Sequence, residues 1–281
     1  MKLSIITINL NNEAGLEKTM KSVLSQTSKD LEYVVVDGAS TDKSLDVIQR
    51  FADEFGSRLK WVSEPDSGIY NAMNKGLHMA TGEYFQILNS GDILAAEDVT
   101  ERMFLELEKQ DAPSILYGNM VKSYPDGCLQ LDKSFEGRRI TMRDMYSGTL
   151  NHDSAYIRRD LFEKYGYYDE SLKIVSDWKW YLQAIVFGGE QPKYADIDVT
   201  LFDMGGISET NRKLRYQERR RVLEALIPPG VLSDYDIWVI SIDQMARIKR
   251  YPWAYRLVWF LETCLCKWER RQKRLSDKNS R

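Results

Sequence analysis

Three acidic residues stand where the sequence pattern places the end of a strand or the start of a helix. Asp37 follows the apolar run Val34–Val36, Asp92 follows an apolar segment and the turn Asn-Ser-Gly, and Asp177 precedes aromatic residues at the start of a helical pattern. Carboxylates at the carboxyl edge of an open parallel sheet can bind a ligand, and a suitably placed carboxylate can accept a proton from a hydroxyl group. The sequence therefore predicts an enzyme site at one sheet edge.

Each of these acids also has a purely structural interpretation, which stays open. Asp37 precedes Gly38 and could serve only the turn into the next helix, and Asp66, in the segment Glu-Pro-Asp-Ser-Gly, could likewise be a turn or capping residue. Either Asp177 or its neighbour Ser176 could be only a helix N-cap. Asp92 is the least easily explained in this way, because the residues before it leave the backbone free to approach a ligand closely.

The two histidines of the chain differ in their surroundings. His152 lies in the segment Asn-His-Asp-Ser, and His78 lies on the helix predicted before the fourth strand. For His152, a structural role is the more common one for a lone histidine, and a place in the site stays open. For His78 we expect a packed or exposed position without a role in chemistry.

Hydrophobic periodicity predicts alternating strands and helices over the first 119 residues. The predicted strands are Leu3–Asn9, Glu32–Val36, Leu59–Val62, Tyr84–Leu88 and Ile115–Gly118, and the predicted helices are Ala14–Gln26, Asp42–Phe55, Ser67–Ala80 and Glu97–Lys109. This alternation predicts an α/β fold with a mostly parallel, twisted central sheet and helices on both faces.

After residue 119 the pattern changes. We expect a hairpin over Val121–Lys133, strands over Ser154–Ile157 and Tyr194–Phe202, helices over Val175–Phe187 and Glu209–Leu226, and two more helices at about 232–249 and 253–272. Pro228-Pro229-Gly230 is the clearest linker signal. The predicted divisions are a first half at 1–119, a second half at 120–227 and a helical tail at 228–281.

Composition restricts the classes of protein to consider. The 281 residues have a hydrophobic content of 43% and a net charge of −3, yet residues 247–281 alone carry +8, so the preceding chain carries −11. The acidic body and the lack of a binding motif argue against nucleic acid as a partner. Three cysteines without zinc-finger spacing favour a reducing compartment, and no apolar run reaches membrane-spanning length. A cytoplasmic protein is expected.

The basic tail carries an apolar stripe at helical spacing. The stripe consists of Trp253, Leu257, Phe260, Leu261, Cys264, Leu265 and Trp268. A basic amphipathic helix of this kind can lie on an anionic membrane surface, while the same stripe could instead pack on the chain's own domain or on a second subunit. Both alternatives remain open, and the oligomeric state does not follow from the sequence.

Four segments, taken in order, resemble the family-2 glycosyltransferases. They are S-I-I-T-I-N-L-N at Ser4–Asn11, V-V-V-D-G-A-S-T-D at Val34–Asp42, E-P-D-S-G-I-Y-N-A-M-N-K-G at Glu64–Gly76 and A-T-G-E-Y-F-Q-I-L-N-S-G-D at Ala80–Asp92. The resemblance covers residues 1 to about 210. It implies the GT-A fold, a nucleotide-diphosphate-sugar donor, a divalent metal (Mn²⁺ or Mg²⁺) and inversion at the anomeric carbon.

The resemblance also implies roles on the donor side. Thr7, Asn9 and Asn11 belong to the loop that wraps the nucleoside, and Asp37 and Asp66 correspond to acids that bind the base or ribose. Asp92 corresponds to the last acid of the Asp-x-Asp metal motif. The chain departs from that motif, because Asn89 and Gly91 occupy places often held by acids. We therefore expect Asp92 to be the one strong protein ligand of the metal and Asn89 to contact the nucleotide sugar.

On the acceptor side the resemblance assigns two catalytic residues. Asp177 corresponds to the acid before the acceptor helix and is the expected general base, and His152 stands where the family commonly has a histidine. Gly205-Gly206-Ile207-Ser208 resembles a loop near the donor diphosphate and could equally be a plain turn.

These expectations combine into an inverting glycosyltransferase that uses a nucleotide sugar, with UDP as the expected nucleotide. The expected acceptor is a glycan or lipid-linked glycan in bacterial surface polysaccharide synthesis. The alternatives are transfer to a lipid phosphate or a protein, and a sugar-nucleotide-binding scaffold without catalysis, which the uncharged Asn89 would favour.

Overall fold

A computed structural model describes residues 2–204 and 211–279 of the chain. These residues form two compact units, one extending to Val222 and one beginning at Leu223. The strands of the first unit are β1 Leu3–Asn9, β2 Leu31–Asp37, β3 Leu59–Ser63, β4 Tyr84–Ile87, β5 Ile93–Leu94, β6 Ile115–Ser123, β7 Leu129–Asp132, β8 Ala155–Arg158 and β9 Lys193–Asp203. The helices that precede β9 are α1 Glu13–Leu24, α2 Ser44–Phe55, α3 Ile69–Met79, α4 Val99–Lys109, α5 Met142–Ser147, α6 Asp160–Tyr165 and α7 Ser176–Tyr181.

The strands form one mixed sheet in the order β3-β2-β1-β4-β8-β6-β9-β5, with β7 paired to β6. The strands β3, β2, β1 and β4 are parallel, and β6 and β9 are parallel to each other. Antiparallel β8 lies between β4 and β6 and pairs with both. The prediction of a mostly parallel sheet with helices on both faces is confirmed.

The sheet has two buried faces because apolar residues fill both sides of its central strands. On one face, residues such as Leu3 and Ile5 pack in a single core with buried side chains of α1, α2 and α4. On the other face, α3 approaches the sheet at Gly76, where any Cβ would collide with the Ile6 side chain. Strands buried on both faces read as continuous apolar runs, which explains the Val34–Val36 pattern.

The structure differs from the sequence-based expectation in elements too short for periodicity to detect. The two-residue strand β5 and the six-residue helices α5 and α6 were not predicted. The predicted helix Val175–Phe187 is α7 followed by a π-helical segment, Leu182–Phe187. Strand β6 continues to Ser123, so it crosses the predicted division between residues 119 and 120, and both halves share one sheet. Gly205-Gly206-Ile207-Ser208 lies outside the described residues.

Three long helices complete the described chain: α8 Arg212–Leu226, α9 Pro229–Lys249 and α10 Pro252–Asn279. The Pro228-Pro229-Gly230 segment acts as a helix break, because Pro229 is the first residue of α9. In α10 the predicted stripe is exposed to solvent, and Trp259 and Tyr255 are exposed as well. Within residues 2–204 and 211–279, no helix has the length and apolar character needed to cross a bilayer.

Candidate active site

The candidate site lies at the carboxyl edge of the sheet, because that is where its elements end or begin. The parallel strands β1 and β4 lead into the loops that carry Asn11 and Asp92, and β2 ends at Asp37 itself. Because β8 is antiparallel, the segment before it, which contains His152, reaches the same edge. Asp177 is the second residue of α7 and meets this edge through its side-chain contacts.

Asp177 is held by two hydrogen bonds, one to each carboxylate oxygen. The hydroxyl of Tyr70, on α3, donates to Oδ1 at 2.8 Å, and Nδ1 of His152 lies 3.2 Å from Oδ2. Burial alone would raise the pKa of Asp177, but the hydrogen bond and charge of His152 outweigh it and keep the pKa below its ordinary value. A lone pair remains on each oxygen, so the carboxylate can still accept a substrate hydroxyl.

His152 is a cation at neutral pH. Burial would lower its pKa, but the hydrogen bond and charge of Asp177, together with the charges of Asp153 and Asp92, raise the pKa to about 9. Its Nε2 lies 3.3 Å from Nδ2 of Asn89, whose Oδ1 is buried without a partner. A protonated imidazole donates from both nitrogens, so a 180° rotation of the Asn89 amide would satisfy both groups. The imidazolium thus links the base to the loop of Asp92.

Asp92 lies three residues after Asn89, in the loop that the contact with His152 reaches. Its side chain is 3% exposed, and its Oδ1 accepts a hydrogen bond of 2.9 Å from the Asp203 amide at the end of β9. Burial, and then the nearby carboxylate of Asp153, raise the pKa of Asp92 to about 8. Burial likewise raises the pKa of Asp153, whose Oδ2 accepts a 2.9 Å hydrogen bond from Thr200.

The side chains around Asp92 fit a divalent cation that would take one ligand from the protein and the others from a bound substrate and water. Burial and the neighbouring Asp153 disfavour the ionised form of Asp92, whereas a bound cation would favour it, so loss of the Asp92 proton and cation binding would be coupled. No group of three or more His, Cys, Asp or Glu side chains in the described ranges forms a metal cage. Mg²⁺ and Mn²⁺ commonly take one or two protein carboxylates and fill the remaining positions with water and phosphate oxygens, which suits this arrangement.

Asp37 is wholly buried, and protein donors surround its carboxylate. Oδ1 accepts from the Asn9 amide at 2.9 Å and the Ser40 hydroxyl at 2.5 Å, and Oδ2 accepts from the Ser40 backbone at 2.9 Å and the Ser63 hydroxyl at 2.7 Å. Burial would raise the pKa of Asp37, yet these bonds together hold it below the ordinary value. The side chain therefore joins β1, β2 and β3, and its predicted contact with a nucleotide stays a prediction.

Asp66 has a more accessible carboxylate than Asp37 and lies close to it. It lies against Gly38, where an added Cβ would come within 3.0 Å of its Oδ2, so it stands at the same sheet edge as Asp37. Its Oδ1 forms an ion pair of 2.7 Å with Lys75, which also pairs with Glu64 at 2.8 Å. Asp66 and Lys75 thus place both signs of charge beside the end of β2.

The three predicted residues of the first loop occupy different environments. Thr7 is wholly buried, donates to the Leu88 carbonyl at 2.6 Å and accepts from Tyr33 at 3.0 Å, so its side chain has no surface to offer a ligand in this conformation. Asn9 is buried as a bridge between Asp37 and the Ser90 hydroxyl. Asn11 is exposed with a φ of 50°, and its Oδ1 accepts from the Thr41 backbone at 2.7 Å.

Two residues of the cluster were missed from the sequence. Asp153 directly follows His152. The one feature of the sequence that could have indicated it is that two titratable residues are adjacent in the segment Asn-His-Asp-Ser. Tyr70 is part of the helical pattern of α3, and an aromatic residue in such a pattern is usually interpreted as part of the hydrophobic core. A surface cavity of about 310 Å³, lined by residues such as Arg138 and Lys193, lies near the start of β9, away from the candidate site.

Comparison with known proteins identifies the family. The model for "Glycosyl transferase family 2" matches residues 4–166. A PGL/p-HBAD biosynthesis glycosyltransferase of Mycobacterium bovis is 30% identical over 212 residues, which is 74% of this chain and 79% of the relative.

Solved structures show the same fold. S. aureus TarS 1–349 in complex with UDP-GlcNAc is 19% identical with a TM-score of 0.65, over 84% of this chain and 70% of that one, whereas the match spans 43% of a longer TarS chain. A mannosyltransferase from Pyrobaculum calidifontis, in complex with GDP-Man and Mn²⁺, gives a TM-score of 0.61 at 18% identity, over 94% of this chain and 80% of that one.

The order of strands and helices, the fold of the structural neighbours and the family match lead to the same assignment. The predictions of a GT-A type fold and of the family are confirmed, and this chain belongs to glycosyl transferase family 2.

Proposed function

We propose that this chain is an inverting glycosyltransferase in which Asp177 is the general base and Asp92 the protein ligand of a divalent cation. The observation that carries the proposal is the connected cluster at one sheet edge. Tyr70, Asp177 and His152 are joined by hydrogen bonds, and His152 reaches Asn89 in the loop of Asp92. In this proposal the base and the loop that carries the cation ligand are connected through one chain of side-chain contacts.

The proposed reaction is a direct displacement. The acceptor hydroxyl oxygen forms a bond to the anomeric carbon while the bond from that carbon to the nucleoside diphosphate breaks, and the hydroxyl proton passes to the Asp177 carboxylate. Attack from the side opposite the leaving group inverts the configuration. A divalent cation, when bound, supplies Lewis-acid stabilisation of the charge on the departing diphosphate. Tyr70 and His152 fix the orientation of the base, and their hydrogen bonds keep it ionised.

The proposed donor is a UDP-sugar and the proposed acceptor a glycan or lipid-linked glycan of a bacterial surface polysaccharide. The donor class is supported by the UDP-GlcNAc and GDP-Man complexes of the structural neighbours. We propose that Asp66 and the exposed loop of Asn11 contact the nucleoside, that Asn89 contacts the sugar nucleotide, and that Asp37, Asn9 and Thr7 hold these loops in place from below.

We further propose a cytoplasmic location with peripheral attachment to the inner face of the cytoplasmic membrane through α10. The support is the exposed apolar stripe that includes Trp253, Leu257 and Trp268, combined with the net charge of +8 over residues 247–281.

Donor hydrolysis and transfer, assayed over a panel of nucleotide sugars with Mn²⁺, Mg²⁺ or EDTA, test the catalytic proposal. We expect metal-dependent turnover by the wild type and its loss in Asp92→Ala and Asp92→Asn. Asp92→Asn keeps an acceptor for the Asp203 amide and removes the charge of a buried carboxyl group, so it should leave the melting temperature unchanged. Asp92→Ala also removes that acceptor and should destabilise the fold by about 1 kcal/mol.

Near wild-type turnover in the Asp92 variants would overturn the metal assignment. Tight binding of a nucleotide sugar without any turnover would favour the non-catalytic scaffold. Turnover with a lipid phosphate or a protein as acceptor would keep the chemistry and replace the acceptor.

A further inference from the structure

Arg219 is a half-buried cation beside the proposed base. It lies on α8, and the carbon at the centre of its guanidinium group is 4.8 Å from the ring centroid of Trp178, the residue after Asp177. Its Nε is buried and has no hydrogen-bond partner among the described residues. A buried donor without a partner is costly, so such a group calls for an explanation.

The charge of Arg219 is not used by the base. Asp177 is close enough to attract the guanidinium, but its two oxygens accept from Tyr70 and His152 instead. Arg215, one helical turn earlier on α8, adds a second positive charge. Burial lowers the pKa of Arg219 to about 10, so the side chain is still a cation at neutral pH.

The position of Arg219 is fixed by its neighbour in sequence. The carboxylate of Glu218, itself buried, accepts hydrogen bonds from the backbone amides of Lys173 at 2.8 Å and Ile174 at 2.9 Å. These amides lie in the loop that leads into Asp177. Helix α8 is therefore fastened to the base loop, and Arg219 keeps its place relative to Asp177. A fixed guanidinium presents planar, paired donors that match phosphate oxygens.

The place of Arg219 in the fold indicates which phosphate would be bound. Arg219 packs on Trp178, which directly follows the proposed base Asp177, and its neighbour Glu218 binds the loop that leads into Asp177, so Arg219 lies on the acceptor side of the proposed reaction. The chain before residue 247 carries −11 and would repel any anionic substrate. An arginine beside Asp177 would offset that repulsion for a phosphate group that lies there.

We propose that Arg219 binds a phosphate group carried by the sugar acceptor, next to the hydroxyl that Asp177 deprotonates. The proposal rests on the proposed glycosyltransferase function and narrows its acceptor to molecules with a phosphate near the reacting hydroxyl. It makes Arg219 a residue that selects substrate, separate from the donor site at Asp92.

Calorimetry with two probes tests the proposal. UDP is titrated first, with Mg²⁺ present, and inorganic pyrophosphate is then titrated into the UDP-saturated protein, so that the donor site is already filled. We expect pyrophosphate to bind the wild type, to bind Arg219→Gln at least tenfold more weakly, and to bind Arg219→Lys with intermediate affinity. UDP affinity should be unchanged in all variants. Arg221→Gln, an exposed site on the same helix, is the control for charge and should match the wild type.

Each other outcome has a distinct meaning. If Arg219→Gln weakens UDP binding, Arg219 serves the donor diphosphate and the acceptor proposal is wrong. If pyrophosphate fails to bind the UDP-saturated wild type, or binds all variants equally, Arg219 only packs on Trp178. Should Arg219→Gln fail to fold, Arg219→Lys decides, since it keeps the charge and loses the fork. Absence of nucleotide binding by the wild type, in a screen that includes UDP and GDP, would instead count against the proposed function.

Discussion

A carboxylate that accepts two hydrogen bonds is well oriented but is a weaker base than a free one. In Asp177 the donors are Tyr70 and His152, and they keep its pKa below the ordinary value. Such a base is ionised over the whole physiological range, and its orientation costs no reorganisation during the reaction. In the proposed reaction, the proton affinity of Asp177 would matter only late, when the acceptor oxygen has already begun to bond to carbon and has become acidic.

Replacing Asp177 by Asn should therefore separate catalysis from binding. The change keeps the size of the side chain and removes its basicity, so the transfer rate should fall by roughly 10²–10⁴ with donor affinity nearly unchanged. Single-turnover kinetics and UDP calorimetry measure the two quantities. Asp126→Asn, in the exposed turn between β6 and β7, is the matched control. A large loss of donor affinity at an unchanged rate would move Asp177 to the donor site.

His152 should give stability a distinct pH dependence. Its pKa in the folded protein, about 9, lies above the ordinary 6.5, so its contribution is complete below about pH 6.5 and is lost as the pH rises through 9. We expect His152→Gln to lower the free energy of unfolding by on the order of 2–3 kcal/mol at pH 6 and by much less at pH 9.5. Urea denaturation at both pH values measures this. An equal loss at both would show that packing, and not charge, holds His152.

At this scale the sequence revealed residue types better than residue partners. Asp92, His152 and Asp177 were predicted from their positions in motifs, and the structure brings them to one sheet edge, while their roles stay predictions. Asp153 and Tyr70 were not predicted, because a contact such as that between residues 70 and 177 has no local signature. The sequence could also not show that Thr7 and Asp37 direct their side chains into the sheet, since burial depends on what packs above them.

Among the elements, the first three strands are joined at their ends by one side chain. Asp37 accepts from Asn9 at the end of β1, from Ser63 at the end of β3, and from Ser40 in the loop that follows β2. The carboxylate thus holds the ends of these three strands in a fixed relative position. Asn9, which donates to Asp37, also accepts a hydrogen bond from Ser90, in the loop that carries Asp92.

Alanine substitutions at Asp37 and Asp66 should therefore have different effects. Asp37→Ala leaves buried donors unsatisfied and should cost roughly 3 kcal/mol of stability, with weaker UDP binding as a secondary effect. Asp66→Ala removes a partly exposed ion pair with Lys75 and should cost about 1 kcal/mol or less, while UDP binding falls directly. Thermal unfolding and calorimetry distinguish them. Because the pKa of Asp37 is lowered by folding, its contribution should be present above pH 4 and fade as the pH falls. Equal destabilisation by both variants would contradict this division.

Element types followed from periodicity where the elements are long. Helices α2 and α4 and strands β1 to β4 were predicted to within two residues, because each buries a continuous face. Strand β5 was missed because two residues, Ile93 and Leu94, carry no periodic signal; its pairing with Leu201 and Thr200 of β9 is a long-range contact. That pairing places Asp203 against Asp92.

For the whole molecule, the separation of an acidic body from a basic helix gives a direct test of the tail. A chain that stops after Tyr251 lacks α10 and keeps every residue of the candidate site. We expect it to lose binding to anionic vesicles and to retain donor hydrolysis, since each basic residue near such a surface contributes about 1 kcal/mol. Vesicle sedimentation at two salt concentrations measures this, with neutral vesicles as the control.

Equal sedimentation of the full-length and shortened chains would refute the membrane role. Loss of folding, or a change of oligomeric state, would show that the exposed side chains of α10 serve a protein contact. The chain is shortened after Tyr251, which follows the end of α9. Shortening it near Leu232, close to the Pro228-Pro229-Gly230 segment, would divide α9 at a buried residue.

The strand order of the sheet also determines when the site can exist during synthesis. Strand β4 pairs with β1 on one side and with β8 on the other, and β8 lies some 70 residues later in the chain. Until β8 is available, the edge of β4 that β8 covers has no partner strand, and an unpaired edge is a template for association with other chains. We therefore expect a partly synthesised chain to be prone to aggregation at this edge until Ala155–Arg158 pairs with it. We expect the same pairing to bring His152 to the loop of Asp92, so closing that edge begins the assembly of the candidate site, which Asp177 and Asp203 complete only when the later chain has been made.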